Sequence, residues 1–491
     1  MATGNAAPAA ETTGVSGPGF VKAMTLTDAT MLVAGTMIGS GIFIVSADMA
    51  RTVGSPFWLL MAWLLTGVMT LLGALAYGEL AAMYPRAGGQ YVFLREAMGP
   101  LMGFLYGWTL FVVIQTGTIA AVGVAFGRFL GVLWPAISPE RYGWFPQFDV
   151  VTPGGLIELG LTPQRLVALI SIWVLTWVNL RGVREGKFVQ TFLSIIKTGA
   201  LALLVILGLT IGRNAEAVST NFGSGFFGDA PFGGSFSSVF VLAFGAALVG
   251  SLFSSDSWHG VTSAAAEVKD ATRNLPRALL LGTGLVTLLY VLANVSYLSV
   301  LPFDALQAAP EDRVGTAVAR GIFGPPGATM MAVAILISTF GCNNGLILAG
   351  ARVYWAMAKD GVFFRKAGEL SKHGVPAWAL VAQAIWTSIL CLTGTYSQLL
   401  DYVIFAALVF YALTTTGLFV LRRKRPDVPR PYRAIGYPVL PALYVVLAAF
   451  VACVLLVADK TRAQALSGLV VVLLGVPVYF MTKRSITAGE A

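Results

Sequence analysis

The chemistry this chain offers is mostly that of its backbone. From Leu32 to Ile44 it reads Leu-Val-Ala-Gly-Thr-Met-Ile-Gly-Ser-Gly-Ile-Phe-Ile, placing Gly35, Gly39 and Gly41 mid-way along an apolar segment of about residues 27–50. Such a segment is long enough to cross a bilayer as a helix. Each interior glycine, however, costs about 1 kcal/mol against alanine, so the sequence asks for a break at mid-membrane. Lipid satisfies no freed N–H or C=O, and a break is tolerable only inside protein or beside a water-filled cavity. The second half of a broken helix then presents N–H groups and a partial positive charge, suited to a carboxylate. The first half ends in carbonyls suited to an ammonium group or a cation. The competing reading is that Gly35 and Gly39, spaced as GxxxG, form a helix-packing face.

A second interruption lies at Phe253-Ser254-Ser255-Asp256-Ser257-Trp258, inside the apolar stretch 236–262. Lys197 and Asp256 add charge within apolar spans. Lys197 lies about seven residues, or about 10 Å, into the span 191–211. An intramembrane charge is a functional hypothesis by default, the alternative being a lysine that snorkels to the near surface. Asp256 could attract a cationic substrate, take part in proton coupling, or cap the interrupted helix.

The elements that must hold these groups are membrane helices. Of 491 residues, 57% are hydrophobic and 11% charged, against about 25% charged in soluble domains. Twelve apolar spans are expected, near 27–50, 57–83, 101–133, 165–180, 191–211, 236–262, 276–301, 327–356, 377–393, 399–421, 438–458 and 464–481. With the N-terminus in the cytoplasm, 22 basic residues fall on that side and nine on the other, so the positive-inside rule places both termini in the cytoplasm. The net charge of +9 is spread over short loops and does not point to nucleic acid. Residues 1–22 are expected to be a disordered cytoplasmic tail and not a signal peptide, with a second short tail at 485–491.

The interrupted spans are the first and the sixth, five apart. An odd period inserts the second copy upside down, and paired interruptions in two halves point to a transporter site between inverted repeats. The expected units are therefore 23–213, 214–425 and the added pair of spans 426–484. Gly99, Gly103 and Gly107, like Gly123, Gly127 and Gly131, are spaced for close helix contacts. Cys342, Cys391 and Cys453 all fall in apolar spans, giving no disulfide framework.

The stretch Gly35-Thr-Met-Ile-Gly-Ser-Gly-Ile-Phe43 resembles the first-helix signature of the amino acid–polyamine–organocation superfamily, above all its L-type amino acid transporters and their bacterial relatives. Glu267-Val-Lys-Asp-Ala-Thr-Arg-Asn-Leu-Pro-Arg277, Ser338-Thr-Phe-Gly-Cys-Asn-Asn-Gly345 and Pro426-Asp-Val-Pro-Arg-Pro-Tyr432 with Gly436-Tyr-Pro438 are similar to later family segments, in the expected order. The resemblance implies an all-α polytopic fold of twelve helices, a five-plus-five inverted repeat with helices 1 and 6 broken, and alternating-access transport of amino acids.

It further implies that the N–H groups of Ser40 and Gly41 take the substrate carboxylate, and the carbonyls of Met37 and Phe253 its amine. Gly35, Thr36, Ile38, Gly39, Ser254 and Ser255 would form the broken backbone, with Phe253 an aromatic lid. Asn344 matches a position facing the substrate side chain, although a buried asparagine joining helices fits equally. Lys197 would stand where sodium-coupled relatives hold an ion, which implies sodium-independent transport by exchange or proton coupling. Asp256 departs from members with a small residue there, and keeps open a polyamine or cationic amino acid substrate.

The expected setting is the inner (plasma) membrane, as a monomer without cofactor or metal and without a disulfide-linked heavy chain. An enzyme would need a catalytic cluster, but His259 and His373 are the only histidines and no HExxH, GxSxG or GxxxxGK[ST] occurs. A channel would call for rings of repeated ligands, which two unlike breaks do not supply.

Overall fold

A computed structural model of the chain describes residues 22–137, 148–152, 155–228, 238–393 and 396–489. The expected tail up to residue 21, the tip of the loop between the third and fourth spans, and the side chains of Arg184 and Lys187 lie outside them. In order, the principal elements are α1 (Leu26–Met37), α2 (Val45–Val53), α3 (Pro56–Met83), α4 (Gln90–Met98), α5 (Pro100–Leu133), β1 (Phe148–Thr152) and β2 (Gly155–Leu159). There follow α6 (Pro163–Leu180), α7 (Val183–Leu209), α8 (Ser238–Ser254), α9 (Ala271–Val300), α10 (Pro325–Lys359), α11 (Ala377–Thr393), α12 (Tyr396–Lys424), α13 (Val439–Val457) and α14 (Arg462–Gly489). A 3₁₀ segment, Trp258–Glu267, continues the line of α8.

Among the described residues, ten helices are long and apolar enough to cross a membrane. Two expected spans are not among them. The first is divided by its break into α1 and α2, and α11 offers the shorter apolar helix Ala377–Leu392. The external loop carries a small antiparallel hairpin, Phe148 pairing with Leu159 and Thr152 with Gly155, so the described chain is helical apart from that ribbon.

Helix starts follow local chemistry. Thr25 caps α1 and forms a reciprocal capping box with Asp28. Ser55 accepts from the Trp58 N–H ahead of Pro56, the first residue of α3. The glycines of α5 serve packing: a β-carbon at Gly123 would press on Ile172 of α6, one at Gly127 would meet the Gln164 backbone, and one at Gly107 would strike Met357 of α10.

Buried ion pairs gather at the end of the bundle where α3, α10 and α12 terminate. Glu267 and Arg352 form a two-pronged pair at 2.5 and 2.9 Å. Glu79, fully buried, accepts from Arg422 at 2.9 and 2.6 Å and from the Ala434 N–H at 2.7 Å. This gives two motifs a structural role: Glu267 opens one of them, and Ala434 lies between the two parts of the other and ties it to α3.

Candidate functional site

The first break is narrower than the sequence suggested. α1 continues to Met37, so Gly35 and Thr36 belong to its last turn and not to the broken backbone. The chain leaves the helix at Ile38 (φ −73°, ψ 90°), passes Gly39 and Ser40, makes one 3₁₀ turn at Gly41–Phe43, and resumes as α2 at Val45. The second break is equally short. Ser254 closes α8, and Ser255 to Ser257 lead into the 3₁₀ segment, with Ser257 held at φ 64°.

The two breaks touch. The Thr36 hydroxyl is 3.1 Å from the Ser257 carbonyl, and a β-carbon on Gly41 would sit 2.9 Å from the Ser254 Cα. Glycine at 41 is thus required by the approach of one broken helix to the other. Gly35 packs against Ser194 and Gln190 of α7. The packing interpretation therefore holds for Gly35, while Gly39 and Gly41 lie in the break proper. The ends of the two interrupted segments are tied as well: the Ala23 and Met24 N–H groups donate to the Glu267 carbonyl at 3.0 and 2.9 Å, and the Lys269 N–H to the Met24 carbonyl at 2.9 Å.

At the positive end, the N–H groups of Gly41 and Ile42 meet no acceptor among the described residues, while those of Phe43 and Ile44 bond back to the Ser40 and Gly41 carbonyls. Ser40 is buried beside them. Buried N–H groups almost always find a partner, so this turn is equipped to receive an anion.

The carbonyl end is lined with side-chain donors. The buried Lys197 ammonium bonds the Gly35 carbonyl and lies 3.4 Å from that of Ser338. It turns inward, away from the surface that snorkelling would seek. The Ser338 hydroxyl reaches the carbonyls of Ile38 (3.2 Å) and Gly39 (3.3 Å), and the Cys342 thiol that of Thr36 (3.1 Å). Tyr290, on α9, sits between the breaks with its hydroxyl 2.9 Å from the Met37 carbonyl and 3.0 Å from that of Ser254. Tyr297, two turns on, reaches the Ile42 carbonyl at 3.3 Å.

The carbonyls expected for an amine therefore have donors already: Met37 has Tyr290, and Phe253 has the Asp256 N–H at 3.1 Å. A carbonyl oxygen has two lone pairs and can accept from two donors. The Phe253 side chain is buried. Asn344 is engaged across helices, accepting from Asn179 of α6 at 2.9 Å and donating to Gln190 of α7 at 3.2 Å, the geometry of a helix-joining asparagine.

Asp256, 5% exposed, accepts from the Tyr411 hydroxyl and stands 3.4 Å from the Ser257 hydroxyl. Tyr290, Tyr297 and Tyr411 carry no mark in the sequence, and Ser338 only opens a motif with no role attached to it. A tyrosine or serine inside an apolar span is too common for residue type alone to mark it.

A profile of the family described as Amino acid permease matches residues 24–484. The chain is 30% identical over 469 residues to the serine/threonine exchanger SteT of Bacillus subtilis, covering 95% of this chain and 98% of that protein. It is 31% identical over 472 residues to the human large neutral amino acids transporter small subunit 2 (95% and 82% covered). To the human b(0,+)-type amino acid transporter 1 it is 28% identical over 462 residues (94% and 88%).

Proposed function

The chain belongs to the amino acid permease family, and from that premise we propose that it is a secondary transporter of L-amino acids working by alternating access without sodium. The observation that carries the proposal is the break at Ile38–Ser40. It sets free N–H groups at Gly41 and Ile42 within one turn of the Met37 carbonyl, which suits the two charged ends of an α-amino acid. The carboxylate goes to the Ser40–Ile42 turn, and the amine to the carbonyls of Met37 and Phe253. Relatives named as an exchanger and as amino acid transporters support the substrate class.

Lys197 takes the place of a coupling cation by bonding the end of α1. The bundle is read as twelve spans, α1 with α2 and α8 with the 3₁₀ segment each counting as one, in two inverted units at 23–213 and 214–425 plus α13 and α14. Both termini face the cytoplasm, the membrane is the cell's inner (plasma) membrane, and the carrier is a monomer. Its three cysteines lie in α10, α11 and α13, leaving no loop cysteine for a disulfide-linked partner.

The test is competition of one labelled amino acid by all twenty and by putrescine, using purified protein in proteoliposomes. Competition by a set of neutral amino acids supports the proposal. Competition by putrescine and L-arginine alone would favour a cationic substrate at Asp256, and competition by none would refute amino acid transport.

A further inference from the structure

A polar chain runs from the second break through the interior. The Tyr411 hydroxyl of α12 donates to Asp256 Oδ1. The same hydroxyl oxygen lies 3.1 Å from Nδ1 of His259, and the His259 Nε2 lies 3.5 Å from the Tyr106 hydroxyl of α5. With the His259 proton on Nδ1, all three bonds point one way: Tyr106 donates to His259, His259 to Tyr411, and Tyr411 to Asp256.

The carboxylate has no cationic partner within ion-pairing distance among the described residues, its polar contacts being Tyr411, Ser257 and backbone. Among the described residues, the groups that face it from the packed elements are Tyr411 on α12, Tyr444 on α13, Tyr77 on α3, Tyr106 on α5, Cys342 on α10 and His259 on its own segment. Lys197 of α7 is committed to the carbonyls of Gly35 and Ser338. A carboxylate buried without a cation is costly, so this one calls for a proton or a cation. Asp256 also forms part of the wall of a cavity shared with Thr70, Ser255, Tyr411 and Tyr444, with room for a water molecule.

We propose that Asp256, reached through Tyr106, His259 and Tyr411, takes up and releases one proton with each amino acid carried. The proposal rests on the amino acid carrier reading and extends it to the coupling ion. The step balances. As one proton arrives on the Tyr106 oxygen, the Tyr106 proton passes to His259 Nε2. The Nδ1 proton then passes to the Tyr411 oxygen, and the Tyr411 proton to Asp256 Oδ1. One proton enters, one carboxylate becomes a carboxylic acid, and no other group gains or loses charge. Reversal after the change of access releases the proton.

The experiment uses the full chain in proteoliposomes with a pH-sensitive dye in the lumen. The external probe is a mixture of L-alanine, L-serine, L-threonine and L-leucine, with L-arginine added separately. The expected result is lumenal acidification on adding the neutral mixture, and uptake that rises several-fold when the lumen is one pH unit more alkaline. In Asp256→Asn the acidification should vanish, and whatever uptake remains should ignore the gradient. Tyr411→Phe, which keeps the ring but removes the oxygen that joins His259 to Asp256, should abolish most of the acidification. Neutral uptake in the unaltered protein with no lumenal pH change would overturn the proposal and leave the carrier reading standing. Wild-type acidification in either variant, or a loss in Asp256→Asn confined to L-arginine uptake, would overturn it too. Absence of uptake of these five and of each of the other fifteen amino acids would remove the carrier reading, and this proposal with it.

Discussion

Tyr290 is the residue whose removal should be most informative, because one hydroxyl holds the two breaks together. Replacing it with phenylalanine keeps the ring, which is buried against Trp63 with centroids 5.4 Å apart. What is lost is the hydroxyl within 3.0 Å of both the Met37 and Ser254 carbonyls. A single proton serves one carbonyl at full strength at a time, so the net loss is that of about one hydrogen bond. Such a bond is worth roughly 1–1.5 kcal/mol, rising towards about 3 where a buried acceptor is left without any donor.

The states of a carrier differ by a few kcal/mol, and about 1.4 kcal/mol is a tenfold change in their ratio. Tyr290→Phe should therefore lower turnover about tenfold while leaving the protein folded, since one hydroxyl is small beside the packed helices around it. The assay is initial uptake per mole of purified protein in proteoliposomes, with a thermal unfolding curve as the control for folding. Turnover within twofold of the unaltered protein would show that the hydroxyl does not link the breaks in any step that limits transport.

Lys197→Ala should slow uptake strongly and move substrate affinity less, because the ammonium bonds backbone at the end of α1 and is not placed on the substrate. Uptake at the wild-type rate in the same vesicles would reduce it to a packing residue. Exchanging sodium for choline at constant pH should leave uptake unchanged, and a large loss would show that an ion shares the Lys197 position. Gly41→Val should nearly abolish amino acid binding in a protein that still folds, because the new side chain would force Ser254 and the second break away. Ligand-induced thermal stabilisation equal to that of the unaltered protein would contradict this.

The break in the first span and the charge of Lys197 were legible because they violate strong local rules: a glycine run where a helix should be firmest, and a cation inside an apolar span. The edges of the break were not legible. Gly35 and Thr36 remain helical because α7 packs closely on Gly35, a constraint set by residues more than 150 positions away. Tyr290 and Tyr411 escape notice for the same reason, since which face of a long apolar helix turns inward depends on its neighbours and barely on its own sequence. Asn344 suits both a substrate and a neighbouring helix by residue type, and the helix contacts it makes depend on the positions of Asn179 and Gln190.

Alternating access of amino acids is tested most directly by counterflow. Proteoliposomes holding the purified protein are loaded with an unlabelled neutral amino acid and diluted into a trace of the labelled one. The account predicts label accumulating transiently above its external concentration, saturably, in medium without sodium. Flux that rises linearly with concentration and never exceeds equilibrium, or no accumulation with any of the twenty amino acids, would contradict it.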